Sequence, residues 1–179
     1  MKKPIVTYPL TWMVVVALAL VLAIAAPRGV GVLGRLPADV GKTLERKQGD
    51  ERILALVTFN RSQRKDAEVW ISALGLHSDQ SITWVRMPVV NDPGDPLRRA
   101  AAQNRLLAHY ASARDRSNLL PVFFDRQAFA RSAGLLDTDT LYVLVINRNG
   151  DVLARVSGAF DENKARTLRD TLLSELHGL

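Results

Sequence analysis

The sequence contains no cysteine, and this absence excludes several functions at once. Without a thiol the chain forms no disulfide, presents no cysteine nucleophile and cannot carry out thiol–disulfide exchange by itself. Zinc centres and iron–sulfur clusters that depend on cysteine ligands are excluded for the same reason. Any chemistry must therefore come from other polar side chains or from a partner.

Histidine is also scarce, and its distribution does not indicate a metal centre. His77, His109 and His177 fall on separate predicted elements, and no H-E-x-x-H motif or close histidine pair is present. Serine is present, but never in the G-x-S-x-G context of a serine hydrolase. Asp137 and Asp139 are close in sequence, and we interpret them as loop carboxylates. The sequence therefore predicts no catalytic residue, no metal and no cofactor.

Long runs of like charge are missing as well, although the chain has a net charge of +6. Such a charge is compatible with nucleic acid, anionic lipid or an acidic protein surface as partner. The basic residues are mostly arginines placed beside acids, as in Arg114-Asp115-Arg116. This pattern favours a solvated surface, and we expect no nucleic-acid partner.

The N-terminus carries the features of an export signal. Lys2 and Lys3 precede an uncharged stretch whose apolar part runs from Leu10 to Ala26. Its length lies between that of a cleavable signal peptide and that of a membrane-spanning helix. We predict that residues 1–26 anchor the chain in a bacterial inner membrane, with the domain in the periplasm. The alternative is a soluble periplasmic protein cleaved near Ala25.

Residues 27–51 are predicted to be a linker between this segment and the domain. Six residues within this range interrupt any regular helix or strand pattern: Gly29, Gly31, Gly34, Pro37, Gly41 and Gly49. The domain is expected to span residues 52–179, which is enough chain for one hydrophobic core.

Within this domain, apolar runs typical of strands alternate with amphipathic patterns typical of helices. Several predicted helices begin after an aspartate that can act as an N-cap and end at a glycine. The predicted strands are 52–59, 82–90, 119–124, 141–146 and 152–156, and the predicted helices are 63–74, 96–113, 125–133 and one that starts after Asp161. This order predicts an α/β fold with a mixed central sheet covered by helices on both faces.

The last two strands are predicted to form a hairpin. Asn149-Gly150 lies between two strand-like runs, and this dipeptide is a strong signal for a tight antiparallel turn. In such a turn both residues are expected to adopt a positive φ. A terminal amphipathic helix follows the hairpin.

The strand 120–125, the hairpin segment 142–152 and the residues 158–160 together resemble the thioredoxin-like fold with a peroxiredoxin-type inserted helix. The resemblance covers about residues 50 to 177. More narrowly, the chain is similar to two cysteine-free branches, the YtfJ-like periplasmic proteins and the thioredoxin-like assembly factor of the mitochondrial ATP synthase. The resemblance implies the fold and a role in binding another protein.

The chain departs from redox-active members at both halves of their site. The resemblance places a C-x-x-C motif at the start of the first domain helix, where this sequence has Ser62-Gln63-Arg64-Lys65. A hydroxyl cannot replace a thiolate in disulfide exchange. The family's cis-proline is also missing near Thr140-Leu141, where a trans peptide bond is therefore expected.

One constellation remains as a candidate site. Arg61, Ser62, Arg64 and Lys65 lie at the start of the helix that carries the redox motif in relatives, where helix N–H groups favour an anion. We therefore predict a non-catalytic thioredoxin-like protein that uses this surface to bind, or to assist assembly of, another protein. The alternative is an accessory protein of a thiol oxidoreductase whose partner supplies the cysteines.

Overall fold

The computed structural model describes residues 31–47 and 52–174. The fold described below is that of the compact unit Val32–Leu179. Its strands are β1 (Gly34–Arg35), β2 (Arg52–Thr58), β3 (Trp84–Val90), β4 (Val122–Phe123), β5 (Tyr142–Asn147) and β6 (Asp151–Ser157). Its helices are α1 (Ala38–Lys47), α2 (Arg64–Ala73), α3 (Pro96–Leu107), α4 (Ala113–Ser117), α5 (Arg126–Ser132) and α6 (Glu162–Leu173).

The strands form one six-stranded mixed sheet in the order β1-β6-β5-β2-β3-β4. Strands β2, β3 and β4 run parallel to one another, whereas β5 is antiparallel to both β2 and β6. The parallel crossover from β2 to β3 contains α2, and the β5–β6 hairpin is followed by α6. This arrangement confirms the predicted mixed α/β sheet and the thioredoxin-like fold.

Helices cover both faces of this sheet, as predicted, because alternate residues of the central strands point to opposite sides. In β2 the side chains of Ala55 and Val57 belong to the core cluster beneath α1 and α5. Those of Leu54 and Leu56 belong to the cluster beneath α2 and α6. Five consecutive residues of β2 are buried, which explains its continuous apolar run.

Aspartate side chains begin three of the helices where the sequence predicts them. Asp95 accepts hydrogen bonds from the backbone N–H groups at the start of α3, with Pro96 as the first helical residue. Asp125 and Asp161 do the same for α5 and α6. Each cap satisfies N–H groups that have no partner within their helix.

The predicted helix 96–113 is wrong in extent, because α3 ends at Leu107 and a separate short helix α4 follows. The side chain of Ser112 accepts a hydrogen bond from the Asp115 N–H and begins this new helix. The predicted strand 119–124 is likewise shorter, with Leu119 making only an isolated bridge to Arg86 before β4. Pro121 lacks an N–H and interrupts the ladder between them.

Part of the predicted linker 27–51 is instead an element of the folded domain. Strand β1 pairs antiparallel with β6, and α1 contributes Val40 and Leu44 to the core. Gly34 is required by close packing, because a Cβ on it would lie 2.4 Å from the backbone carbon of Ala133. The glycines that suggest a linker therefore include one that lets two backbone segments touch.

The hairpin is present, but its turn differs from the one expected. Gly150 has a φ of +77°, whereas no non-glycine residue in the described part of the chain has a positive φ, so the prediction for Asn149 is wrong. The Asn147 side-chain oxygen accepts hydrogen bonds from the N–H groups of Asn149 and Asp151, at 3.0 and 2.9 Å. This side chain holds the loop, and Gly150 alone supplies the left-handed residue.

Within residues 31–47 and 52–174, every helix is too short or too polar to cross a bilayer. The predicted membrane segment 1–26 and His177 lie outside the described residues, as does the cleavage position near Ala25.

Candidate functional site

A cavity of about 550 Å³ opens at the carboxyl ends of strands β2 and β3. In sheets with parallel strands, this edge is where ligands are bound, because loops from neighbouring strands converge there. The walls come from the ends of both strands, the β2–α2 loop and the starts or faces of three helices: Thr58, Phe59, Asn60, Arg61, Arg64, Pro88, Val89, Val90, Ala102, Arg105, Leu106, His109 and Arg126.

The charged side chains of the cavity all have the same sign. Arg61, Arg64, Arg105 and Arg126 line it together with His109, and its lining contains no carboxylate. In the described part of the chain, no salt bridge or side-chain hydrogen bond joins any of these four guanidinium groups to another residue. Four unpaired cations around one cavity produce a local field that attracts anions.

Arg126 makes this charge imbalance more costly than it would be on an open surface. Its Nε atom is shielded from solvent and has no hydrogen-bond partner among the described residues. A buried donor without an acceptor carries a desolvation cost of about 1–3 kcal/mol. An anion in the cavity could remove that cost by accepting hydrogen bonds from the Arg126 guanidinium.

Apolar side chains form another part of the cavity surface. Phe59 and Val89, at the ends of β2 and β3, are buried and belong to the core beneath α1 and α5. Ala102 and Leu106 are one helical turn apart on α3 and are only partly buried. None of the α3 residues is fully buried, and Ala102 and Leu106 are the apolar side chains of this helix that line the cavity. The site thus combines cationic groups with an uncovered hydrophobic surface.

The position expected for the redox motif is occupied by a structural glutamine. Gln63 is 3% exposed, and its side-chain oxygen accepts hydrogen bonds from the N–H groups of Phe59 and Asn60, at 2.7 and 3.4 Å. Its side-chain nitrogen donates to the carbonyl of Thr138, at 3.1 Å. The glutamine therefore joins the β2–α2 loop to the loop before β5. Its polar atoms are used within the fold.

The structure brings together two of the four residues predicted for the site. Arg61 and Arg64 line the cavity, whereas Ser62 and Lys65 do not. Both of these are exposed, and the Ser62 hydroxyl donates to the Asn60 side-chain oxygen, at 2.5 Å. Successive residues at a helix start point in different directions, so the side chains of all four predicted residues cannot face one cavity.

Three cavity residues, Arg105, His109 and Arg126, were missed because they are distant in sequence from the helix start. Arg126 opens α5 directly after strand β4, and Arg105 and His109 lie one turn apart at the end of α3 and beyond it. The position of Arg126 directly after a strand is the one sequence signal that could have identified it as a cavity residue. Residues after parallel strands converge at the same edge of a sheet.

A fifth arginine near the cavity is already neutralised. Arg86 is 5% exposed and forms salt bridges of 3.0 Å with both Glu68 and Asp115. Its guanidinium also lies 4.9 Å from the ring centre of Trp84 and 5.1 Å from that of Tyr110, whose pKa is raised by burial. This arginine ties β3 to α2 and α4. We assign it a structural role, in contrast to the unpaired arginines of the cavity.

Of the two aspartates interpreted as loop carboxylates, Asp137 has a structural role. The Asp137 side chain accepts hydrogen bonds from the N–H groups of Asp139 and Thr140, at 3.0 and 3.3 Å, and so shapes the loop before β5. His77 and His109 do not meet each other in one metal site. Within the described ranges, no group of three or more histidines and carboxylates is placed to hold a metal ion.

Comparisons with known proteins reveal similarity in structure only. No family model matches the chain, and no curated protein is significantly similar to it in sequence. Two solved structures from Aquifex aeolicus VF5 share the fold with TM-scores of 0.51 and 10% identity. One, with a proposed role in electron transfer, covers 80% of this chain and 97% of its own length. The other, with a proposed role in electron transport, covers 83% and 100%.

A third match is BsSco, a member of the Sco family of cytochrome c oxidase assembly proteins. It is 16% identical, with a TM-score of 0.47, over 75% of this chain and 85% of its own. At these identities the likeness shows the fold alone, and the chain has a thioredoxin-like fold without cysteine.

Proposed function

We propose that this protein is a non-catalytic thioredoxin-like accessory protein that binds an acidic segment of another protein in its basic cavity. The observation that carries the proposal is the group of four arginines without carboxylate partners, at the sheet edge where ligands are bound in related topologies. Complementary charge accelerates association with an acidic partner and selects against basic ones.

The fixed position of Gln63 supports the non-catalytic part of this proposal. The side chain of Gln63 makes three hydrogen bonds, all with backbone atoms of the fold, so the residue at the position expected for the redox motif is held in a structural network. The chain also lacks any thiol. What remains at this edge is an opening suited to binding.

We further propose that the protein acts outside the bacterial cytoplasm, as an assembly or binding factor for a membrane-associated partner. The support comes from the sequence, because Lys2 and Lys3 followed by the apolar stretch to Ala26 form an export signal. We propose that the resemblance of segments 120–125, 142–152 and 158–160 to YtfJ-like proteins and to the ATP synthase assembly factor, which rests on the sequence pattern alone, reflects such a role. A phosphatase fused after Leu179 should be active outside the cytoplasm, and an inactive fusion would contradict the proposed location.

The partner-binding proposal can be tested by site-specific photo-crosslinking in membranes. A photoreactive amino acid at Asn60, on the cavity wall, should capture an acidic protein that mass spectrometry identifies. The same amino acid at Leu173 is the control, because α6 near this residue contacts Arg52 at the opposite end of β2. Leu173 should not capture that protein.

A matched pair of variants tests whether charge is responsible. Arg126→Gln should weaken capture from the Asn60 position, whereas Arg131→Gln removes an exposed charge from the same helix outside the cavity and should not. Raising the salt concentration should weaken capture by the wild type. Equal capture by both variants, or equal capture from Asn60 and Leu173, would contradict the proposed function.

A further inference from the structure

We infer that the basic cavity recognises an anionic group, a carboxylate or a phosphate, that carries an adjacent apolar group. The inference concerns the chemistry of the ligand at the site of the proposed function, on which it rests, and it excludes a bare polyanion as the preferred occupant. The ligand could be an acidic side chain with a hydrophobic neighbour in a peptide, or a free organic acid.

The cationic part of the cavity determines the head group. Arg61 and Arg64 come from one helix start, and Arg105 and Arg126 come from two other parts of the chain, yet all four line one opening. Guanidinium groups bind carboxylates and phosphates through paired hydrogen bonds of matching geometry. The shielded Nε of Arg126 has no acceptor in the described part of the chain, and an anionic oxygen is the acceptor with the complementary charge.

The size and the apolar surface of the cavity determine the rest of the ligand. A volume of about 550 Å³ lies within the usual range of sites for small organic ligands, and a lone carboxylate or phosphate would fill a small part of it. Phe59, Val89, Val90 and Leu106 lie in the same lining as the arginines. Val90 and Leu106 are only partly buried, so a ligand that places an apolar group against them removes their exposed surface from water, which a bare polyanion cannot do.

Helix α3 provides a second observation in favour of an apolar group. It carries Ala102 and Leu106 on one face, but neither side chain is fully buried by the protein. An amphipathic helix normally covers its apolar face with the core. Here that face borders the cavity, so the ligand would complete the packing of the helix.

The test is a titration of the full-length protein, in detergent if needed, with small probes at constant ionic strength. The probes are acetate, hexanoate, hexanol, inorganic phosphate and hexyl phosphate, with binding measured by calorimetry. We expect hexanoate to bind at least tenfold more tightly than acetate, and hexyl phosphate at least tenfold more tightly than inorganic phosphate. Hexanol should bind at least tenfold more weakly than hexanoate. The preferred head group is that of the tighter of the two six-carbon anions.

Matched variants locate the binding. Arg126→Gln and Arg105→Gln should each lower the affinity for the better probe at least fivefold. Arg131→Gln and Arg98→Gln, which remove exposed charges from the same two helices outside the cavity, should change it less than twofold. Near-ultraviolet circular dichroism confirms that each variant is folded. The inference is overturned if the six-carbon chain adds no affinity, if hexanol binds as well as hexanoate, or if cavity and control variants behave alike.

Two peptides of equal charge then distinguish the sources of the ligand. A short peptide with glutamate beside phenylalanine should bind more tightly than one with glutamate beside glycine if a protein segment is the natural ligand. If hexanoate or hexyl phosphate binds as expected but neither peptide does, the ligand is a free organic anion and the proposed protein-binding function fails. If a partner is crosslinked at Asn60 but no probe binds, that function stands and this inference fails.

Discussion

Replacing Gln63 with methionine should destabilise the protein by about 2–4 kcal/mol, although the two side chains have similar volumes. The substitution leaves the buried Phe59 N–H without its 2.7 Å acceptor and the Thr138 carbonyl without its donor. An unsatisfied buried group costs about 1–3 kcal/mol, and we count Thr138 at the lower end because it is only partly buried. Adding the cost of the unsatisfied Phe59 N–H to that of the Thr138 carbonyl gives the expected loss of about 2–4 kcal/mol in unfolding free energy.

The measurement is reversible urea unfolding of the purified protein, followed by tryptophan fluorescence. Trp70 and Trp84 are buried, so their emission reports the packing of the core. Gln127→Met is the matched control, because Gln127 is exposed and makes one long contact of 3.4 Å to the Thr138 hydroxyl. It should change the unfolding free energy by less than about 0.5 kcal/mol. A loss below about 1 kcal/mol for Gln63→Met would refute the assigned role of the glutamine.

Two further predictions concern the core and an ion pair. Leu144→Ala should cost about 2–5 kcal/mol in the same assay, because Leu144 is fully buried opposite Ala55; a cost below about 1 kcal/mol would contradict its burial. The hydrogen bond from Arg35 lowers the pKa of the Asp151 carboxyl below its usual value. The ionised carboxylate therefore stabilises the fold above about pH 4, and this stabilisation is lost as the pH falls through the pKa of Asp151 in the folded protein. Between pH 5 and 3 the wild type should therefore lose more unfolding free energy than Arg35→Gln, and parallel losses would contradict this assignment.

The central part of the fold could be predicted because local signals and tertiary packing agree there. The apolar run of β2 is as long as a buried strand and contains no residue that could face water. Asp125 and Asp161 each precede a helix and make the capping hydrogen bonds in the structure. In these segments a short stretch of sequence contains the information that fixes the structure.

The first two elements could not be predicted because their signals conflict. Leu36, Val40 and Leu44 recur at the four-residue spacing of an apolar helix face, and Val40 and Leu44 lie on α1. However, three nearby glycines and a proline favour irregular structure. Gly34 is present because another backbone segment approaches it. That approach depends on the folded position of Ala133, which no local pattern reveals.

Only the two arginines of the candidate site that lie close together in the sequence could be predicted. Arg61 and Arg64 follow the first strand directly, so a resemblance at that helix start was enough to identify them. Arg105 and Arg126 lie more than forty residues further along the chain. These two arginines reach the cavity because of the order of the three parallel strands and the position at which α3 ends. The predicted helix 96–113 was several residues too long, so it did not give the correct end of α3.

The position of Gln63 connects the stability of the fold to the shape of the cavity. Phe59 and Asn60, whose N–H groups bond to the glutamine side chain, both line the cavity, whereas Gln63 does not. The same glutamine reaches Thr138 on a loop outside the lining. Gln63 therefore holds the β2–α2 loop, which carries Arg61, through contacts outside the cavity lining. Gln63, which stands where the resemblance places the redox motif, thus helps to set the shape of the cavity wall.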